Sequence, residues 1–331
     1  DCGSLPQHRP LRDLVFRGIA EAVERSRTES AWRAIASAFR VGASRSFGAF
    51  DTRAANLEVF AQDAGEYSSL PEDKFGRLAH AMAWRFLAEM SVSDASATVE
   101  YAKTVDTVSE LFAGERDFEL ERARAWKCVA FANIDDPEAC LQHARAVDTI
   151  AEPFAGERDF ELERVEAWAE MAAATKGNPA TCLQYANAVD IISGPYAGER
   201  EFQLFRVWTW RTMAKATMGD PVTCLQHANA VDIISGPYAG EHDFQLLRVL
   251  TWGTMVEATM GDPVTCLQHA NAVDMIAEPF AGERLFELER AKSWRIVAHA
   301  TVDDPAMCLQ HAKAVDMIAE PFAGELDFEL D

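Results

Sequence analysis

Four Cys/His pairs stand three residues apart in this chain: Cys140/His143, Cys224/His227, Cys266/His269 and Cys308/His311, each inside the string CLQH. Three residues is just under one helical turn, so the thiol and imidazole project from one side of a helix and could supply half of a tetrahedral zinc site. Nothing within a repeat supplies the other half. At the matching positions Cys182 is followed by Tyr185, and Thr98 by Tyr101. Tyr is a poor zinc ligand but a fair replacement for His as a flat ring with a polar tip. The pattern therefore predicts packing, with Cys140 a small hydrophobe in mid-face beside Ala144 and Val147. No metal and no cofactor is expected.

Other catalytic signatures are missing. The chain has no P-loop, no G-x-S-x-G, no H-E-x-x-H and no EF-hand pattern. Its carboxylates recur once per repeat, as surface or paired charges do, whereas an active site needs different residues converging on one point. The chain is expected not to be an enzyme.

Charge narrows the partners. There are 31 Lys and Arg against 53 Asp and Glu, a net of −22, and the excess lies almost wholly after residue 72. So acidic a surface repels nucleic acid and anionic lipid and attracts basic partners. No stretch approaches the ~18 apolar residues that span a bilayer, so membrane insertion is not expected. The start, DCGSLPQHRPLRDLVF, has neither Met nor an apolar core of the kind an intact signal peptide carries. Five of the seven cysteines recur at 42-residue steps. Residues one repeat apart would stand about 20 Å from each other if two helices intervene, too far for a disulfide. Reduced thiols and a cytoplasmic, reducing compartment are the expectation, with export as an effector left open.

The same 42-residue step positions everything else. FAGE or YAGE begins at Phe112, Phe154, Tyr196, Tyr238, Phe280 and Phe322, and Trp126, Trp168, Trp210, Trp252 and Trp294 keep the same period. Six units follow: a degenerate 73–114, then 115–156, 157–198, 199–240, 241–282 and 283–324, with 325–331 as the start of a further repeat or a stub. Each reads as two helices. In the first, Phe118, Arg122, Trp126 and Val129 recur at helical spacing. A polar break follows, and Asp136, Asn178, Asp220, Asp262 or Asp304, each before Pro, caps the second helix. That helix ends near the Pro and Gly of EPFAG. One such hairpin cannot bury both apolar faces, but a stack can, so the fold class expected is an all-α, right-handed solenoid of helical hairpins. Residues 1–72 read as an N-terminal helical cap with degenerate repeats, its helices near 10–25, 30–40 and 51–67.

Comparison among the copies sharpens this. Counting outward from the break at Asp135, Trp126 meets Ala144, a large residue against a small one, and Arg122 meets Asp148. Arg–Asp pairs are expected across the hairpin or between neighbouring units at 122/148, 164/190, 206/232, 248/274 and 290/316.

The first-helix aromatic, GDP at the inter-helix turn, small residues in the second helix and Pro after it together resemble the tetratricopeptide-like family, over about 73–324. The usual 34-residue repeat is exceeded, as in the Sel1-like and kinesin-light-chain-like types. Cys140 and its equivalents replace the family's Ala, and HEAT- or armadillo-like repeats stay open. The resemblance implies a protein-interaction scaffold whose first helices line a concave groove.

Where the copies disagree, function is expected. The variable first-helix positions form one stripe roughly opposite the Trp. It holds Glu163, Glu166 and Glu170 in one unit, Phe205 and Trp208 in the next, Leu247 and Leu250 in the third, and Lys292 in the last full one. Exposed apolar clusters rimmed by charge commonly mark binding sites, and Trp is a favoured anchor. These residues are expected to bind a basic or amphipathic peptide or helical segment, the acidic row orienting it. The competing expectation is that neighbouring first helices bury the stripe. Self-assembly, dimeric or end to end through the C-terminal end, is the alternative function.

Overall fold

The computed structural model describes residues 74–322, which form twelve α-helices and, among the described residues, no strand. They pair as six hairpins: α1 (Lys74–Met90) with α2 (Ala95–Ser109), α3 (Arg116–Ala132) with α4 (Pro137–Ala151), α5 (Arg158–Ala174) with α6 (Pro179–Ser193), α7 (Arg200–Ala216) with α8 (Pro221–Ser235), α9 (His242–Ala258) with α10 (Pro263–Ala277), and α11 (Arg284–Ala300) with α12 (Pro305–Ala319). The expected cap over 1–72 and stub over 325–331 lie outside the described residues. The chain divides into two compact units, one holding 74–133 and 138–163 of the described residues, the other 134–137 and 164–322. Each unit is an all-α solenoid segment in which every helix packs on its neighbours in order. First helices also pack on the next first helix, α1 on α3 in one unit, α7 on α9 and α9 on α11 in the other.

The helix starts are local chemistry. Asp220 and Asp262 each accept hydrogen bonds from the two amides that follow the helix-opening Pro, and Asn178 accepts from Thr181 N–H. Pro lacks the one amide that would otherwise need a partner. The turns between hairpins come in two chemistries. At Phe112, Phe154 and Phe280 the following Gly takes φ of 82°, 86° and 88°, and its N–H donates to Glu119, Glu161 or Glu287 five residues on. At Tyr196 and Tyr238 the glutamate is replaced by Gln203 or Gln245, whose side-chain amide donates to the Tyr carbonyl instead. In both, the turn aromatic stacks on the next helix's Phe with centroids 4.2–4.5 Å apart, as in Tyr196–Phe202 and Phe280–Phe286. The five Phe, at 118, 160, 202, 244 and 286, are fully buried.

The Arg–Asp pairs exist, but one unit out of the expected register. Arg122 Nε donates to Asp106 at 2.7 Å, Arg206 to Asp190 at 2.7 Å, Arg248 to Asp232 at 2.7 Å and Arg290 to Asp274 at 2.9 Å. Each guanidinium reaches back to the second helix of the preceding hairpin, not to its own. Asp106 and Arg122 lie eight residues either side of Gly114, so the FAGE turn is as good a fold-back point as the polar break. What decides between them is the helix face, because Arg122 shares its stripe with Trp126, whose indole N–H donates to the same Asp106 at 3.0 Å. Trp210, Trp252 and Trp294 donate likewise to Asp190, Asp232 and Asp274.

The indole meets small residues on two sides. Trp210 packs beside Cys182 and Ala186 of the preceding hairpin, and Trp252 beside Cys224 and Ala228. Trp252 also packs on the cluster of its own hairpin that holds Cys266 and Ala270, the small residue expected opposite it, and a ring of that hairpin, His269, lies against the indole.

Asp232→Ala is expected to lower stability by about 2–4 kcal/mol, because it leaves a half-buried guanidinium and an indole N–H without their shared acceptor. Asp232→Asn, which keeps one oxygen, should cost less. Urea denaturation of the two variants beside the parent chain measures the difference.

Candidate functional site

The CLQH string is accounted for by contacts at both ends. Cys140, Cys182, Cys224 and Cys266 are wholly buried, and burial pushes the thiols of Cys182, Cys224 and Cys266 up to about 11. Cys182 and Cys224 donate to the carbonyls of Ala172 and Ala214 at 3.2 Å, each in the last turn of the first helix, where carbonyls lack helical partners. The His ring stacks on the tryptophan of its own hairpin, with centroids 5.3 Å apart for Trp126–His143 and Trp210–His227 and 5.4 Å for Trp294–His311. Tyr185 does the same against Trp168 at 5.4 Å. The interchange of His with Tyr is therefore an interchange of rings. In the last described hairpin Cys308 is only half-buried, which identifies the following hairpin as what covers the cysteine elsewhere. Among the described residues no group of three or more His, Cys, Asp or Glu is placed to hold a metal.

The divergent stripe carries a ladder of charges between consecutive first helices. Arg85 on α1 donates to Glu121 on α3 at 3.0 Å. Forty-two residues on, Lys127 on α3 meets Glu163 at 2.7 Å, and Arg124 donates to the same carboxylate at 3.0 Å. Glu121 and Glu163 are about 5% exposed and carry these rungs. Glu163 thus joins consecutive first helices of the stack, and the cations that neutralise it lie on the neighbouring copy, where the sequence of its own unit does not show them. Glu166 and Glu170 are half-buried and each has partners of its own.

In the second unit the rungs change. The position of Glu121 and Glu163 holds Phe205, then Leu247, then Glu289; the position of Arg85 and Lys127 holds Ala169, Arg211 and Gly253. Phe205, Trp208, Leu247 and Leu250 are all half-buried rather than open. Leu247 packs against the core cluster of Val207, Val231 and Phe244, so for that residue the burial alternative holds. Lys292 is tied to Glu289 in its own helix at 2.8 Å. Thr212 and Thr254, further along the same stripe, turn their hydroxyls back to backbone carbonyls four residues earlier.

The most exposed apolar row lies elsewhere and escaped the sequence reading. On the second helices Ile191 and Ile233 are 77% exposed, Met275 69% and Met317 70%, each at the same place in its unit. The signal was present as four apolar residues where the two preceding copies have Thr107 and Thr149. They recur as single side chains one hairpin apart, about 20 Å by two helix diameters, and form no contiguous patch.

No family model, curated protein or solved structure matches this chain.

Burial against the indoles lowers the pKa of His143, His227, His269 and His311. The unfolded chain, with imidazoles near 6.5, then binds protons before the folded one does. Stability is expected to be full above about pH 6.5 and to decline as pH falls through that value towards the lowered folded values, well before carboxylates titrate. Replacing all four with Tyr keeps the stacks and should flatten the profile between pH 7.5 and 5.5, read from denaturation midpoints at each pH.

Proposed function

We propose that this chain is a non-catalytic, tetratricopeptide-like interaction scaffold that takes an amphipathic peptide or helical segment of a protein partner on the first helices of its second unit. The observation that carries the reading is the interrupted ladder. Charged rungs join α1 to α3 and α3 to the start of α5, but Phe205 and Trp208 then stand on α7 where Glu163 and Glu166 stand one unit before, and Leu250 follows on α9. A charged rung can be dispensed with for stacking, as Leu247 demonstrates by packing inward. Trp208 and Leu250 are not needed to satisfy a polar group, and large apolar side chains left partly open at the centre of a face are what interface anchors are made of. The negative balance of the chain favours a partner with basic residues flanking its apolar stripe.

Panning a random 12-residue peptide library on the purified full chain tests this. Selected peptides are expected to carry apolar residues at helical or alternating spacing and to bind the Trp208→Ala/Leu250→Ala variant at least tenfold more weakly. Peptides that bind the variant equally well would place recognition elsewhere. Light scattering on the same preparation tests self-assembly, since a concentration-dependent dimer would favour that alternative over an adaptor.

A further inference from the structure

Arg211 on α7 is a cation without its rung. At the matching places Arg85 and Lys127 reach the carboxylate of the next first helix, at 3.0 and 2.7 Å. For Arg211 that carboxylate has become Leu247, which is turned into the core. Among the described residues no carboxylate stands within ion-pair distance of its guanidinium, and its Nε is out of contact with solvent and has no hydrogen-bond acceptor. Burial therefore disfavours its charged form, and the single carboxylate that acts to favour it is Glu289, two hairpins on. Glu289 has lost its own rung cation: the position opposite is Gly253, where a Cβ would lie 3.4 Å from Glu289 Oε2, so the carboxylate lies over bare backbone. It is already held by Lys292. The two half-rungs thus stand on the first helices either side of α9, and no ion pair closes between them.

A desolvated guanidinium is expensive to leave unsatisfied, and a carboxylate approaching it in a partly dry site forms strong, charge-assisted, frequently two-pronged hydrogen bonds. The surroundings say what should carry that carboxylate. Trp208 lies one helical turn before Arg211 on the same helix face, Phe205 one turn before that, and Leu250 on the next first helix. A free anion would leave these uncovered. We propose that Arg211 is the polar anchor of the binding surface and takes an Asp or Glu side chain of the partner peptide, flanked by apolar residues that cover Phe205, Trp208 and Leu250. The inference rests on the peptide-binding reading and specifies its chemistry: the partner completes the rung that the repeat omits.

Peptides from the random library, resynthesised, provide the probe, and calorimetry on the full chain the readout. Asp or Glu next to an aromatic residue or Leu should be enriched in the selected set. Changing that acid to Asn or Gln should weaken binding to the parent chain at least tenfold but to Arg211→Leu less than twofold, the non-additivity that marks a direct contact. Leu247→Glu, which returns the missing carboxylate to the chain itself, should weaken binding at least tenfold while the chain keeps a single cooperative melting transition. Melting temperatures of both variants guard against misfolding. Peptides that need Trp208 but show no acidic preference, or additive losses in the cycle, overturn the anchor and leave the peptide surface standing. A library that yields no binder, or only binders indifferent to Trp208→Ala, overturns both.

Discussion

The stack depends on one indole per hairpin touching two second helices at once. Its face lies on the His or Tyr of its own hairpin, and its N–H, together with the arginine one turn earlier, holds the Asp of the hairpin before. A carboxylate with two donors from one helix fixes both the separation and the rotation of that helix, because moving either donor breaks geometry that neutral packing would tolerate. This is why Trp, Arg and Asp keep their identity through the five good copies while the ring beneath the indole alternates between His and Tyr. Stacking asks only for a flat face, whereas the joint asks for particular atoms.

The same logic accounts for five of the chain's 53 carboxylates. Glu119, Glu161 and Glu287 are buried in turns, where they accept from a glycine amide, and Glu121 and Glu163 are buried in rungs between first helices. These carboxylates are internal parts of the stack and contribute little to what a partner meets. Where a turn carries Tyr, the glutamate gives way to glutamine and the hydrogen bond reverses direction, so the joint survives a change of charge.

A ladder of charges between first helices is an economical way to stack identical modules, since each rung satisfies a buried group of one copy with a group of the next. Its weakness is that a single substitution orphans a partner. Leu247 and Gly253, both on α9, leave Arg211 without a carboxylate and Glu289 without a cation from the neighbouring first helix, so that Glu289 turns to Lys292 of its own helix. Between them Trp208 and Leu250 occupy the face that charges hold elsewhere. A surface with one unsatisfied cation set among half-open apolar side chains is asymmetric within an otherwise repeating structure, and asymmetry is what a solenoid needs if it is to hold a ligand in one register.

From the sequence alone the period, the helix pairs, their caps and the packing role of Cys and His were all legible, because each follows from contacts within about one hairpin or from a residue's own backbone preference. Asp220 before Pro221 starts a helix whatever surrounds it, and a Tyr in place of His points to a packed ring without coordinates. The partner of each arginine was not legible: the FAGE turn and the polar break each set an Asp symmetrically opposite Arg122, and only the rotation of the packed helix sends it to Asp106 rather than Asp148. Nor was the fate of Glu163, whose neutralising cations sit 36 and 39 residues away on another helix, or the inward turn of Leu247. Sequence periodicity says which residues share a face; which neighbour that face meets is settled by how whole helices pack, and that is a property of the stack.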